Sequence, residues 1–304
     1  MTAAVLVLAR RALIVLVFVG VVLRLGYGEE EHRRAIADVE VLVVVDLTHS
    51  MSAYDHVEGL PRITGVQADL LALVQALPQT RIGLLTFAER TELALPFTTD
   101  VETLQSEIQR LEVEDAYAGD GSRADRPLAG MVEVLRRAEA QRPERRRVVV
   151  YVGDGENTAP GTQESFGQAE PYVDAGVVLG YGSEAGAAMP VAEDLTPAEG
   201  LVVDPRTGTD AVSKADLQNL RKIAGELGVP FEHRTRPGRM DRVAAGFDAD
   251  YVAAEDDYAP AERDLTWLLG LLLFTLVLLE VRWAWRTLWT SRRAMDPRAE
   301  GAAS

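Results

Sequence analysis

Apolar and polar positions divide this chain into a patterned middle and two apolar flanks. Val41 to Val45 is a β-branched-rich apolar run, short and ended at once by Asp46, and it reads as a strand covered on both faces. Val148–Val152 and Gly176–Gly182 read likewise. Arg81–Phe87 is a strand with Leu93–Leu95 as its short neighbour, and Val229–His233 is a last short strand. Between them apolar residues recur at helical spacing. Gly65–Leu77 places Val66, Leu70, Leu73, Val74 and Leu77 on one face; Val101, Leu104, Ile108 and Leu111 follow a capping Asp100; Leu128, Met131, Val132 and Leu135 follow Pro127. Ser213-Lys214-Ala215-Asp216 reads as a capping-box start for a helix that buries Leu217, Leu220, Ile223, Ala224 and Leu227 and stops at Gly228. Strands alternating with helices imply an α/β fold, a mainly parallel sheet with helices on both faces. Segment 183–212 departs from the alternation and holds a tight turn at Asp204-Pro205-Arg206-Thr207-Gly208.

The flanks read as membrane segments. Leu265 to Trp283 has the length of about 20 residues that a bilayer span needs. Trp267 stands at one end and Trp283, Trp285 and Trp289 at the other, as in an interfacial aromatic belt. Glu280, near the end of the span, is expected to reach the headgroups. Ala12 to Leu23 is uninterrupted but short, preceded by Arg10-Arg11 and followed by Arg24. A secretory signal has an apolar core of that length, yet no Ala-x-Ala cleavage pattern follows. Extension through Tyr27, with Arg24 snorkelling, makes an uncleaved anchor; a cleaved signal is the alternative. Arginines lie beyond both spans, on the sides away from the middle of the chain. The positive-inside rule therefore places both termini in the cytoplasm, with the domain outside the cell (inner) membrane. The expected division is an anchor over 1–28, a domain over 36–252, a linker over 253–264, a span over 265–285 and a cytoplasmic tail over 286–304.

Charge sharpens this picture. Of 47 acidic residues 44 lie in 29–264, against 23 of the 31 basic ones, so that segment carries −21. It would repel nucleic acid and anionic headgroups. The absence of cysteine excludes disulfides and thiolate chemistry.

The candidate chemistry sits where the first strand ends, since open α/β sheets bind ligands beyond the carboxyl ends of their strands. Asp46, Thr48 and Ser50 fall at alternate positions on an extended loop, so their side chains can converge. They offer oxygen only. That suits a hard cation such as Mg²⁺, which takes six oxygens and keeps several waters; Mn²⁺ and Ca²⁺ are the other candidates.

The pattern Asp46-x-Thr48-x-Ser50 resembles the metal-ion-dependent adhesion site of von Willebrand factor type A (VWA) domains, with Thr48 in place of the first serine. Gly121-Ser122 resembles the family's Gly-Thr loop, and the strand ending in Asp154-Gly155 resembles its second acidic loop. The resemblance covers most of 39–235. It implies a Rossmann-like doubly wound sheet, flanked here by transmembrane helices. It assigns Thr48, Ser50 and Ser122 as direct metal ligands, and Asp46 and Asp154 as ligands acting largely through water. Asp46 to Asp55, Pro61-Arg62-Ile63, Arg81 to Ala88, Pro96 to Asp100 and Asp216 to Val229 are similar to membrane-anchored bacterial type A proteins of the aerotolerance (Bat) group. That likeness implies a membrane complex with other membrane type A proteins and a MoxR-type AAA+ ATPase partner.

The expected function is a membrane-anchored binding module in which a divalent cation engages an aspartate or glutamate of a protein partner. One alternative is a metal-dependent phosphohydrolase, but Thr48 stands where such enzymes need a second carboxylate, and the chain holds no nucleotide-loop, serine-hydrolase or zinc-protease motif. The other is a structural scaffold with a non-functional metal site. Glu112, Glu114, Asp115, Asp120 and Asp125 read as a solvated acidic loop, with a second cation site as the alternative. His49 and His56 read as surface histidines, since a zinc site needs a third ligand. Asp55 is explained equally by the family resemblance and by helix capping.

Overall fold

Strand β1 (Val39–Asp46) is buried at every position, and its neighbours show why. In this computed structural model, which describes residues 3–22, 26–30, 35–118, 121–191, 195, 200–247, 251–253, 261–264 and 266–294, β1 lies between two parallel partners. Val43 stands opposite Leu84 of β2 (Arg81–Phe87) on one side and opposite Val150 of β4 (Arg146–Gly153) on the other. Parallel β5 (Ala175–Tyr181) and β6 (Phe231–Arg234) extend the sheet beyond β4, and antiparallel β3 (Thr91–Thr98) closes the other edge, giving the order β6-β5-β4-β1-β2-β3. The alternation of β1 sorts its side chains. Val41, Val43 and Val45 pack with α1 (Arg62–Ala76), α2 (Val101–Gln109) and α5 (Asp241–Ala245). Leu42 and Val44 pack with α3 (Leu128–Gln141) and α4 (Leu217–Leu227) on the opposite face. Each such aliphatic side chain contributes about 1.5–3 kcal/mol by leaving water. The chain winds away from β1 in both directions, so the carboxyl end of β1 is a topological switch point.

Local signals mostly act as their chemistry dictates. Asp100 caps α2, accepting from the amides of Glu102 and Thr103. Gly228, at φ +70°, ends α4. The amide of Gly208 donates to the Asp204 carbonyl at 2.8 Å, closing the expected turn. Two expectations need correction. Helix α1 begins at Arg62 behind Pro61, three residues before the apolar stripe shows it. No capping box forms at Ser213: Asp216 caps α4, accepting from the Asn219 amide, while Ser213 lies in a two-residue strand (Val212–Ser213) paired with Ala187–Ala188.

The described residues fall into two units, 35–254 and a second formed by the two chain ends. In the second unit strand Gly26–Glu30 pairs antiparallel with Ala261–Asp264, the latter within the stretch read as linker. Helix Ala3–Val22 runs unbroken through Arg10 and Arg11, which the hydrophobic pattern had placed ahead of the span. Helix Thr266–Ala294 contains a stretch, Trp267–Arg286, long and apolar enough to cross a membrane. Its Glu280 is not free to reach headgroups: Arg11 Nε donates to it at 3.0 Å and Arg10 pairs with it too. Arg24, Arg33, Arg34, most of the rest of the expected linker and the tail beyond Ala294 lie outside the described residues.

Candidate functional site

At the end of β1 the chain turns into a short 3₁₀ segment, His49–Ser52, and the strand-end oxygens fold onto one another. The Thr48 amide and hydroxyl both donate to Asp46 Oδ1, at 2.9 and 2.7 Å. Thr48 Oγ1 and Ser50 Oγ are 3.0 Å apart. Ser122 Oγ completes a triangle, within hydrogen-bond distance of Thr48 Oγ1 (3.1 Å) and Ser50 Oγ (3.2 Å), with one proton to give to either. All five expected site residues are buried. Gly153, the last residue of β4, passes so close that a Cβ there would stand 3.1 Å from Asp46 Cβ and Oδ2. The Ser122 loop is clamped from the next strand end. Ser122 N donates to Thr158 Oγ1 (2.9 Å), Thr158 N to the Ser122 carbonyl (2.9 Å), and Ala124 N to Asn157 Oδ1 (3.0 Å). Sequence reasoning missed Thr158 and Asn157; their signal is the polar run after Asp154.

Asp154 lies in the same crevice. Its Oδ1 accepts from the Glu156 amide at 3.0 Å and its Oδ2 from Arg62 Nη1 at 2.7 Å. Arg62 is fully buried and also forks onto Asp55, with Nε to Oδ1 at 2.7 Å and Nη2 to Oδ2 at 2.8 Å. Room for it comes from Gly182 (φ +89°), where a Cβ would stand 2.2 Å from Arg62 Nε. A buried arginine at a helix start carries no hydrophobic-pattern signal; its only trace was the family-like Pro61-Arg62-Ile63.

The electrostatics are strained. Burial, then the Asp154 charge, push the Asp46 carboxyl well above the ordinary range, against the hydrogen bonds from Thr48. Among the described residues no lysine or arginine comes within ion-pair distance of Asp46. Burial and Asp154 also push Glu156 up to about 7, against hydrogen bonds from Ser213 and Lys214 and the charge of Arg62. Tyr151, beneath the site, is raised chiefly by burial, and its hydroxyl donates to the Ala124 carbonyl at 2.9 Å.

Three clustered hydroxyl oxygens beside a buried carboxylate with no basic partner fit a hard divalent cation. Thr48, Ser50 and Ser122 would hold it directly, with Asp46 and Asp154 behind them. Ser50 and Ser122 also line a cavity of about 610 Å³, whose walls include Glu114, Glu156, Met189 and Val202.

Other readings of the sequence change. Asp55 does not cap a helix; it pairs with Arg62 and accepts from the Ser183 amide and hydroxyl. His56 is buried, not superficial, and packs 5.9 Å from the Tyr181 ring. His49 bridges the Glu114 and Pro190 carbonyls. Asp125 leaves the acidic loop to pair with Arg123 and accept from the Glu164 amide, and Asp120 lies outside the described residues. Among the described residues no group of three or more histidine, aspartate or glutamate side chains is placed to hold a metal, which leaves the hydroxyl-based cluster as the candidate.

The sequence profile of the von Willebrand factor type A domain matches residues 41–156. No curated protein matches the chain. Among solved structures it is similar to the conserved hypothetical protein BatB from Bacteroides thetaiotaomicron (20% identity, 69% of this chain and 97% of that one, TM-score 0.55). It is similar too to an aerotolerance-related membrane protein from Bacteroides fragilis NCTC 9343, solved with multiple mutations to serines (20% identity, 69% and 96%, TM-score 0.54). At that identity the likeness establishes the fold.

Proposed function

Because the chain carries a von Willebrand factor type A domain, we propose that it is a membrane-anchored protein-interaction module whose strand-end site works as a metal-ion-dependent adhesion site. The observation that carries this reading is the Thr48–Ser50–Ser122 hydroxyl triangle beside Asp46 and Asp154. Thr48, Ser50 and Ser122 bind the cation, Mg²⁺ by preference, and Asp46 and Asp154 balance its charge. Bound there, the cation supplies an electrophilic position for an aspartate or glutamate of a protein partner. With hydroxyls rather than carboxylates touching the ion, little of its charge is neutralised, which favours a partner's carboxylate. No second carboxylate stands at Thr48 to act as general acid or base, so the reading is binding rather than hydrolysis. By likeness to the Bat-type proteins, the partners are other membrane type A proteins and a MoxR-type AAA+ ATPase, in a complex at the cell membrane. The test is a pull-down from membranes with the full chain, wild type and Ser50→Ala, in Mg²⁺ or in chelator. Partners retained only by wild type in Mg²⁺ support the reading; partners indifferent to both overturn it.

A further inference from the structure

Arg62 links the strand-end oxygens to the wall of the cavity. Its Nη1 donates to Asp154 Oδ2 at 2.7 Å, to the Ser50 carbonyl at 3.2 Å and to Ser213 Oγ at 2.8 Å; its Nη2 donates to the Ser213 carbonyl at 3.2 Å. Ser213 belongs to the ribbon that pairs Val212–Ser213 with Ala187–Ala188. The same segment folds back through Val202 N to the Met189 carbonyl (2.9 Å) and Ala211 N to the Val202 carbonyl (2.7 Å). Met189, Val202 and Val203 from this segment face the cavity beside Ser50 and Ser122. A single buried guanidinium is therefore bonded at once to the proposed cation site and to the wall a partner would meet.

The bonds of Arg62 are unequal. Its fork onto Asp55 is bidentate, the geometry in which arginine and carboxylate bind best. Its hold on Ser213 consists of two hydrogen bonds from a side chain whose Nη1 also serves Asp154 and the Ser50 carbonyl. We propose that Arg62 is a positioning residue coupling cation occupancy to the 200–213 wall; the coupling rests on the metal-site reading above. A dication held by the hydroxyls would share the Asp154 charge with Arg62, so Arg62 would meet a like charge beside its own carboxylate partner. The Asp55 fork retains it, so the bonds to Ser213 and the Ser50 carbonyl are the ones that lengthen. Ser213 then keeps its donation to Glu156 Oε2 (2.7 Å) but loses its arginine anchor, and the wall loosens toward the incoming partner. Cation and partner thereby favour one conformation, which is thermodynamic coupling between two sites.

The test is hydrogen exchange on the full chain in detergent micelles, with and without MgCl₂, read at amides 200–213. In wild type, saturating Mg²⁺ should speed exchange of Val202 and Ala211 by about fivefold or more, the signature of a local opening. Ser213→Ala leaves every proposed ligand in place; it should bind Mg²⁺ within about threefold of wild type by calorimetry yet lose most of the exchange response. Arg62→Lys keeps the charge but not the fork, and should lose the response too. Wild-type protein that binds Mg²⁺ with unchanged or slower exchange at 200–213 overturns the coupling, as does an undiminished response in Ser213→Ala. Wild-type protein that takes up no Mg²⁺ in the calorimeter overturns the metal-site reading itself, and the coupling with it.

Discussion

Arg62 Nη1 lies 2.7 Å from Asp154 Oδ2, and neither side chain has any solvent exposure. A buried pair of this kind adds little net stability against an apolar replacement, but removing one partner strands the other charge, at about 3–5 kcal/mol. Arg62→Met should lower the unfolding free energy by about that amount, read from urea denaturation at neutral pH. Adding Asp154→Asn in the same chain should recover part of the loss, because the stranded charge is removed while Asp55 stays uncompensated. Strictly additive losses would show that the two groups do not act as a pair.

Asp55 gives the acid side of the stability curve a defined shape. Burial works to raise its pKa, but the hydrogen bond and charge of Arg62 and the two bonds from Ser183 outweigh it, and the group ends below its ordinary value. The carboxylate therefore stabilises the fold fully above its unfolded value of about 3.9, and the contribution disappears as pH falls through the lower folded value. Asp55→Asn should be less stable than wild type at pH 6, with the gap closing as the pH drops below about 4. Chemical denaturation across that range checks it; a gap that stays constant down to pH 3 contradicts the role given to this carboxylate.

Asp46 separates the cation from the fold. Its charge is buried, faces Asp154 and lacks a basic partner among the described residues, so without a cation it opposes folding. Asp46→Asn keeps an acceptor for the Thr48 amide and hydroxyl while removing that charge. In chelator the variant should melt at a higher temperature than wild type. In Mg²⁺ at a hundred times its Kd, wild type should gain about 2.7 kcal/mol and the variant little or nothing. A variant that melts lower in chelator, or gains as much from Mg²⁺, contradicts this account.

The sheet and the strand-end group of Asp46, Thr48 and Ser50 were legible because their signals are local. Val41–Val45 announces a doubly buried strand, and the strand end fixes where Asp46, Thr48 and Ser50 stand. Asp154 joins them because parallel register sets neighbouring strand ends side by side, and Ser122 because Thr158 and Asn157, just past that strand end, hold its loop. Arg62, Asp55 and Ser213 were not legible as a network, since each is defined by partners far along the chain: Ser213 lies 151 residues from Arg62. Polar residues at the start of a helix or in a loop read as solvated or as caps, and Ser213 mimicked a capping box for that reason. His56 was misjudged the same way, its burial depending on α1 passing over it at Gly65.

The two apolar helices at the chain ends should form a pair that persists in the membrane. Arg10 and Arg11 lie inside helix Ala3–Val22, and a charge at mid-membrane costs about 2.5–3.5 kcal/mol on insertion scales. Glu280 answers both: Arg11 Nε donates to it at 3.0 Å, Arg10 pairs with it, and the Arg10 guanidinium lies 5.2 Å from the centre of the Trp283 ring. An antiparallel ribbon, Gly26–Glu30 with Ala261–Asp264, joins the same two segments outside the helices. A cleaved N-terminal segment would leave Glu280 as a lone acid in a span. The cysteine-free chain makes the test clean: Arg11→Cys with Glu280→Cys, treated with a short bis-maleimide in native membranes, should cross-link within one molecule that keeps its N-terminal tag. Each single variant should not. Loss of the tag from the mature protein, or a double variant that stays uncross-linked, would show that these helices do not share the membrane as partners.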